Sequence, residues 1–144
     1  MPKPLITIQN LKFSHSNKIF LNDIEFSIHK FDRIILVGTN GCGKSSLLRI
    51  LKGTDAPDQG DIWIAPNIKI DLLEQNPPIP KTNNLNDFIS KGNQHPNLSK
   101  VSLILKQLGL TDVDLTKQLS GGEIRKIYLA QSILNEPDIM LLDE

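Results

Sequence analysis

The sequence predicts an α/β fold organised around one glycine-rich loop, with an antiparallel β part at its N-terminus and a small helical part further on. Three observations predict it. Arg33-Ile34-Ile35-Leu36-Val37 is a short apolar, β-branched run with the character of a buried strand. It leads into Gly38-Thr39-Asn40-Gly41-Cys42-Gly43-Lys44-Ser45, which fits the pattern Gly, four residues, Gly-Lys-Ser. Beyond it, Leu47, Leu48, Ile50 and Leu51 recur at helical spacing, and Gly53 stands where a helix C-cap would. Strand, glycine loop and helix in that order form a phosphate-binding unit. Glycines let backbone N–H groups turn toward an anion without Cβ clashes, and the helix points its positive end at the same place. Lys44 then reaches the β- and γ-phosphates, and the Ser45 hydroxyl is a ligand for Mg²⁺.

Before the loop, residues 5–13 open with partly alternating strand residues, and a polar turn covers 14–18. Ile24, Phe26 and Ile28 then alternate with Glu25, Ser27 and His29 as in a half-buried strand. The two segments are expected to pair as antiparallel neighbours. After the helix, Pro57, Asp58 and Gly60 mark a loop over 54–60. Strand candidates follow at 61–65 and 68–73, split by Pro66-Asn67, with Gln75 directly after the second. Pro77, Pro78 and Pro80 exclude regular structure there. A short helix is expected over 86–91 and a loop over 92–97.

Leu98, Val101, Ile104, Leu105 and Leu108 have helix periodicity, closed by Gly109. Leu119-Ser120-Gly121-Gly122-Glu123 opens another helix with Ile124, Ile127, Tyr128, Ala130 and Leu134 as its apolar members. Ser120 with Glu123 three positions on is a capping-box pattern, and Asn135-Glu136-Pro137 stops the helix. Ile139-Met140-Leu141-Leu142 is a buried-strand run that ends in Asp143-Glu144. An aspartate there holds Mg²⁺ beside a phosphate loop, and the adjacent carboxylate is placed to polarise an attacking water.

Composition narrows the class. The 144 residues match one domain able to bury a core, and a zero formal net charge supplies no global basic field for nucleic acid. A single cysteine, Cys42, excludes an internal disulfide framework. Met1-Pro2-Lys3-Pro4 lacks the apolar core of a signal peptide, and no run approaches transmembrane length. The expectation is a cytoplasmic chain without membrane insertion.

With Gly38–Ser45, Leu119-Ser120-Gly121-Gly122-Glu123 and Asp143-Glu144 in this order, the chain resembles an ATP-binding cassette (ABC) ATPase over nearly its whole length. The resemblance implies a P-loop ABC nucleotide-binding domain, with ATP and Mg²⁺ as ligands and hydrolysis as the reaction. It implies a core of residues 1–74 and 135–144, a helical and signature region of 75–134, and a domain truncated after Asp143-Glu144. Gly38, Thr39, Asn40, Gly41, Cys42, Gly43, Lys44, Ser45 and Ser46 would hold the nucleotide, with His15 at the place of the aromatic residue that stacks on adenine. Ser45, Asp143 and Gln75 would meet the metal, and Glu144 and Gln75 the attacking water. Leu119, Ser120, Gly121, Gly122 and Glu123 would contact ATP held by a second ABC domain, from a missing half or a second copy. Phe31 stands where the family has glycine.

Glutamate after the two glycines, together with Gln75-Asn76-Pro77-Pro78 and Asp87-Phe88-Ile89-Ser90-Lys91-Gly92, looks like the first domain of Uup-type members of the soluble ABC-F subfamily. That implies association with ribosomes, RNA or DNA. The alternatives are the ATP-binding subunit of an ABC transporter and a non-catalytic ribosome- or nucleic-acid-binding remnant.

Overall fold

The computed structural model describes residues 3–15, 18–82, 84–91 and 97–143. Two compact units emerge, one of Met1–Ile70 with Asp143, the other centred on Asp71–Leu142. The first is built on strands β1 (Ile6–His15), β2 (Lys18–Ile28) and β3 (Gln59–Ile64), with helix α1 (Lys44–Lys52). They form an antiparallel sheet in the order β2-β1-β3. Ile6 pairs with Ile28 on one side and Ile64 on the other, and Ile8 with Phe26 and Ile62. Period-2 alternation puts these residues on one face, where Ile6 and Ile8 are fully buried. Thr7, Ser27 and Trp63 share the opposite face.

The expected antiparallel pair is therefore present, though it departs from regularity around Asn10 and Asp23, both at positive φ. These interruptions are bulges, which bend the ribbon. Gly60 is required here. Its φ is 97°, and a Cβ would sit 2.6 Å from the Asn10 carbonyl oxygen and from the Leu11 Cα.

Helix α1 buries Leu47, Leu48, Ile50 and Leu51, as their spacing predicts. Gly53 caps it in the left-handed conformation, its N–H donating to the carbonyls of Arg49 and Ile50.

The expected buried strand over residues 33–37 is absent. This segment pairs with no strand among the described residues, and Ile35 and Val37 are 85% and 92% exposed. Apolar, β-branched character predicts strand competence, but a strand also needs a hydrogen-bonded neighbour. Just before it, Phe31 has φ 71° and is 89% exposed. A non-glycine residue there costs on the order of 1 kcal/mol or more. Its contact with the Lys30 ammonium, 5.1 Å from the ring centre, offsets part of that. Phe31→Gly is expected to stabilise the chain by about 0.5–1 kcal/mol, after subtracting the greater unfolded-state freedom of glycine. A urea midpoint that falls instead would contradict this.

The second unit contains β4 (Ile70–Leu73) from Asp71 onward, α2 (Leu85–Ile89), α3 (Leu98–Leu108), α4 (Gly121–Asn135) and β5 (Ile139–Leu142). β4 and β5 form a two-stranded sheet. The sequence places α3, α4 and β5 correctly, whereas α2 is shorter and earlier than expected because Asn84 caps it through the N–H groups of Asn86 and Asp87. Most of the expected loop at 92–97 lies outside the described residues. Ile89, Val101, Ile104, Leu105, Leu110, Ile127, Ala130 and Leu134 make one apolar cluster between the helices. Polar bonds fix α4 in place: Ser132 Oγ donates to Asp71 Oδ2 at 2.6 Å, and Gln131 Nε2 to the Phe88 carbonyl at 2.8 Å.

Candidate nucleotide-binding site

The loop from Gly38 to Ser45 lies wholly in the first unit. Gly41 and Gly43 hold positive φ angles of 75° and 102°, which L side chains rarely adopt. Gly43 is also the N-cap of α1, and no side chain caps it. The first-turn N–H groups of α1 thus begin directly at the loop, and their dipoles favour an anion there. The loop is tightly seated: a Cβ on Gly43 would lie 3.0 Å from Phe20 Cβ and 3.3 Å from Leu21 Cδ2. At the other end, a Cβ on Gly38 would lie 2.6 Å from Cys42 Sγ.

Two side chains carry the chemistry. Lys44 Nζ donates to the carbonyls of Gly38 at 2.9 Å and Thr39 at 3.3 Å, so the ammonium lies over the loop's own backbone. Ser45 Oγ donates to Asp143 Oδ1 at 2.9 Å. This bond joins residues 98 positions apart and brings the aspartate after β5 to the start of α1. A hydroxyl and a carboxylate at that distance are hard oxygen donors suited to Mg²⁺, which retains waters and phosphate oxygens as its other ligands. Among the described residues no three His, Cys, Asp or Glu side chains gather as a metal cage. Glu144 and the side chain of His15 lie outside the described residues.

Gln75 and Leu119–Glu123 belong to the second unit. Ser120 is the N-cap of α4, its Oγ accepting from the Glu123 N–H at 3.2 Å. Glu123 Oε2 accepts in return from the Ser120 N–H at 2.8 Å and hydroxyl at 2.7 Å. The capping box is thus complete. The hydroxyl's single hydrogen is committed to Glu123, which leaves backbone N–H groups of the first turn as the ready donors. Bonds from the Ser120 hydroxyl and then its backbone N–H hold the Glu123 carboxyl below its ordinary value. A depressed carboxylate contributes stability that is present above its unfolded pKa of ~4.3 and lost as pH falls through the folded value. Glu123→Gln cannot titrate, so the stability advantage of wild type over it is expected to hold above about pH 5 and shrink below. Urea midpoints between pH 3 and pH 7 check this, and a constant gap would contradict it.

Sequence reasoning missed two contacts of the first unit. Gly43 packs on Phe20 and Leu21 of β2, and Asp58 Oδ2 accepts from both the N–H and the hydroxyl of Ser14, each at 2.6 Å. The signal for the second was the Pro57-Asp58-Gln59-Gly60 turn, since aspartate there commonly accepts backbone hydrogen bonds.

Comparison with known proteins decides the family. A model of the ABC transporter family matches residues 21–144. The chain belongs to the ABC transporter ATP-binding family. The ABC domain is 33% identical to the zinc import ATP-binding protein ZnuC of Rickettsia conorii, covering 100% of this chain and 64% of that protein. It is 38% identical to the ATP-binding protein Uup of Buchnera aphidicola, covering 97% of this chain and 25% of that protein. Its fold matches that of a bacterial Atm1-family ABC exporter with a TM-score of 0.83 at 21% identity, over 100% of this chain and 30% of the exporter chain. A metal-chelate type ABC transporter gives 0.73 at 29% identity, over 100% of this chain and 60% of that one. ABC domains are generally ATPases that bind ATP with Mg²⁺ and pair with another such domain. Among the described residues, no helix is long and apolar enough to cross a membrane.

Proposed function

We propose that this ABC domain binds ATP at residues 38–46 and, paired with a second ABC domain, hydrolyses it. The observation that carries the reading is the Ser45–Asp143 hydrogen bond, which joins a loop hydroxyl to the strand-end carboxylate of a separate motif. Backbone N–H groups of the loop and α1 receive the phosphates, Lys44 turns from the loop carbonyls to the β- and γ-phosphates, and Ser45 and Asp143 hold Mg²⁺. When bound there, the ion would neutralise charge on the phosphate oxygens. Glu144 and Gln75 orient and activate the attacking water, His15 meets the base, and Leu119–Glu123 serves the nucleotide of the partner domain.

A site completed by a second domain predicts slow turnover whose specific rate rises with protein concentration. Mixing Lys44→Ala with Gly122→Asp, which sets a carboxylate among the first-turn N–H groups of α4 in open space, is expected to restore activity neither has alone, because one of the two composite sites is then intact. Brisk hydrolysis independent of concentration would contradict the composite site.

For the wider role, the Uup-type reading is supported by Glu123, the residues around Gln75, and 38% identity to a Uup protein. It implies a soluble ABC-F ATPase acting with ribosomes or nucleic acid. The second reading, a transporter's ATP-binding subunit, is supported by 33% identity to ZnuC over the whole of this chain and 64% of that protein. Co-purification with an integral membrane permease selects the transporter reading, and co-sedimentation with ribosomes selects the first.

A further inference from the structure

In the first unit, a cleft of about 240 Å³ opens among Phe13, Ser14, Ile19, Leu21, Asn22 and Asp58. Leu21 links the cleft to the phosphate loop, since it lines the cleft and its Cδ2 would lie 3.3 Å from a Cβ on Gly43 of the loop. The cleft offers apolar side chains suited to a flat ring, with the Asn22 amide as a donor and acceptor at its margin.

Asp58 holds one wall of this cleft. One carboxylate oxygen takes both hydrogens that Ser14 can donate, at 2.6 Å each, and the Asp58 N–H donates to the Lys12 carbonyl at 2.9 Å. The β1–β3 ladder is irregular between Gln9 and Lys12, and Lys12–Gln59 is its final pair. Past that pair, the aspartate ties the end of β1 to the turn before β3. Charge-assisted bonds of this length are among the stronger ones in proteins.

We propose that Asp58 is a positioning residue for the nucleoside end of the bound nucleotide, acting through Ser14. Its carboxylate fixes the last residues of β1, and so the cleft wall and the backbone entering His15, where base and ribose are received. The inference rests on the reading of residues 38–46 as the phosphate site.

The test compares Mg²⁺–ATP with Mg²⁺–tripolyphosphate, which has the phosphates and lacks the nucleoside. Both are titrated into wild type, Asp58→Ala, Asp58→Asn and Ser14→Ala. In Asp58→Ala the ratio of ATP affinity to tripolyphosphate affinity is expected to fall about tenfold, the scale of one charge-assisted bond pair. Simple loss of negative charge would instead raise affinity for both anions. Asp58→Asn, whose amide oxygen still accepts both bonds, is expected to keep the ratio within about threefold of wild type, and Ser14→Ala to lower it about threefold, consistent with loss of one of two bonds. An unchanged ratio in Asp58→Ala overturns the proposal and leaves the phosphate site standing. If that variant does not fold, an unchanged ratio in Ser14→Ala overturns it equally. Wild type binding neither ligand overturns the phosphate site itself, and this proposal with it.

Discussion

Replacing Lys44 by alanine is expected to weaken ATP binding by about 10- to 100-fold while leaving the fold intact. The side chain supplies charge-assisted hydrogen bonds, each worth about 1.5–3 kcal/mol, and every 1.4 kcal/mol is a factor of about ten in affinity. In the structure the ammonium rests on the carbonyls of Gly38 and Thr39, at the surface of the loop. Exchanging those neutral partners for phosphate oxygens is the gain that alanine forfeits. Surface substitutions away from buried networks change stability by about 0.5 kcal/mol or less, so thermal unfolding should barely move. A matched loss of stability and affinity would show that Lys44 holds the loop together instead. Calorimetric titration beside a melting curve separates the two outcomes.

Ile127→Ala is expected to destabilise the second unit by about 2–5 kcal/mol, the range for truncating a buried isoleucine. Ile127 is fully buried in the cluster of α2, α3 and α4. Since small domains have only about 5–15 kcal/mol in hand, this single change removes a large share. Ile127→Val should cost only about 0.5–1.5 kcal/mol. Urea denaturation of both variants measures the difference, and equal, small effects would show that the cluster yields easily to repacking. Because Ser120 caps α4, which begins at Gly121, a loosened α4 also presents its first-turn N–H groups less firmly. Nucleotide binding at Gly38–Ser45, which lies in the first unit, should change less than turnover.

Much of the fold was legible because local chemistry and burial agree. Leu47 to Leu51, and Val101 with Ile104 and Leu105, are spaced for one helical face, and Gly53 and Gly109 end their helices in the left-handed conformation. Ser120 and Glu123 announced a capping box that the structure forms in full. Alternation of Ile24, Phe26 and Ile28 announced a strand whose pairing with β1 is observed. Residues 33–37 escaped because their composition records affinity for a sheet, while pairing depends on a neighbour that composition does not encode. Asp58 escaped for a related reason: its partner, Ser14, is 44 positions away, and only β1–β3 pairing brings the two together. The loop itself was the clearest signal, since its glycines, lysine and serine are each demanded by geometry or charge. The bond from Ser45 to Asp143 is the tertiary contact that the separate motifs implied without showing.

Titration of ATP into the wild-type chain, with and without Mg²⁺, tests the central claim most directly. Saturable binding that Mg²⁺ strengthens, that inorganic tripolyphosphate competes away, and that Asp143→Asn renders insensitive to Mg²⁺ is the predicted result. Absence of saturable binding, or binding indifferent to both Mg²⁺ and tripolyphosphate, would contradict it.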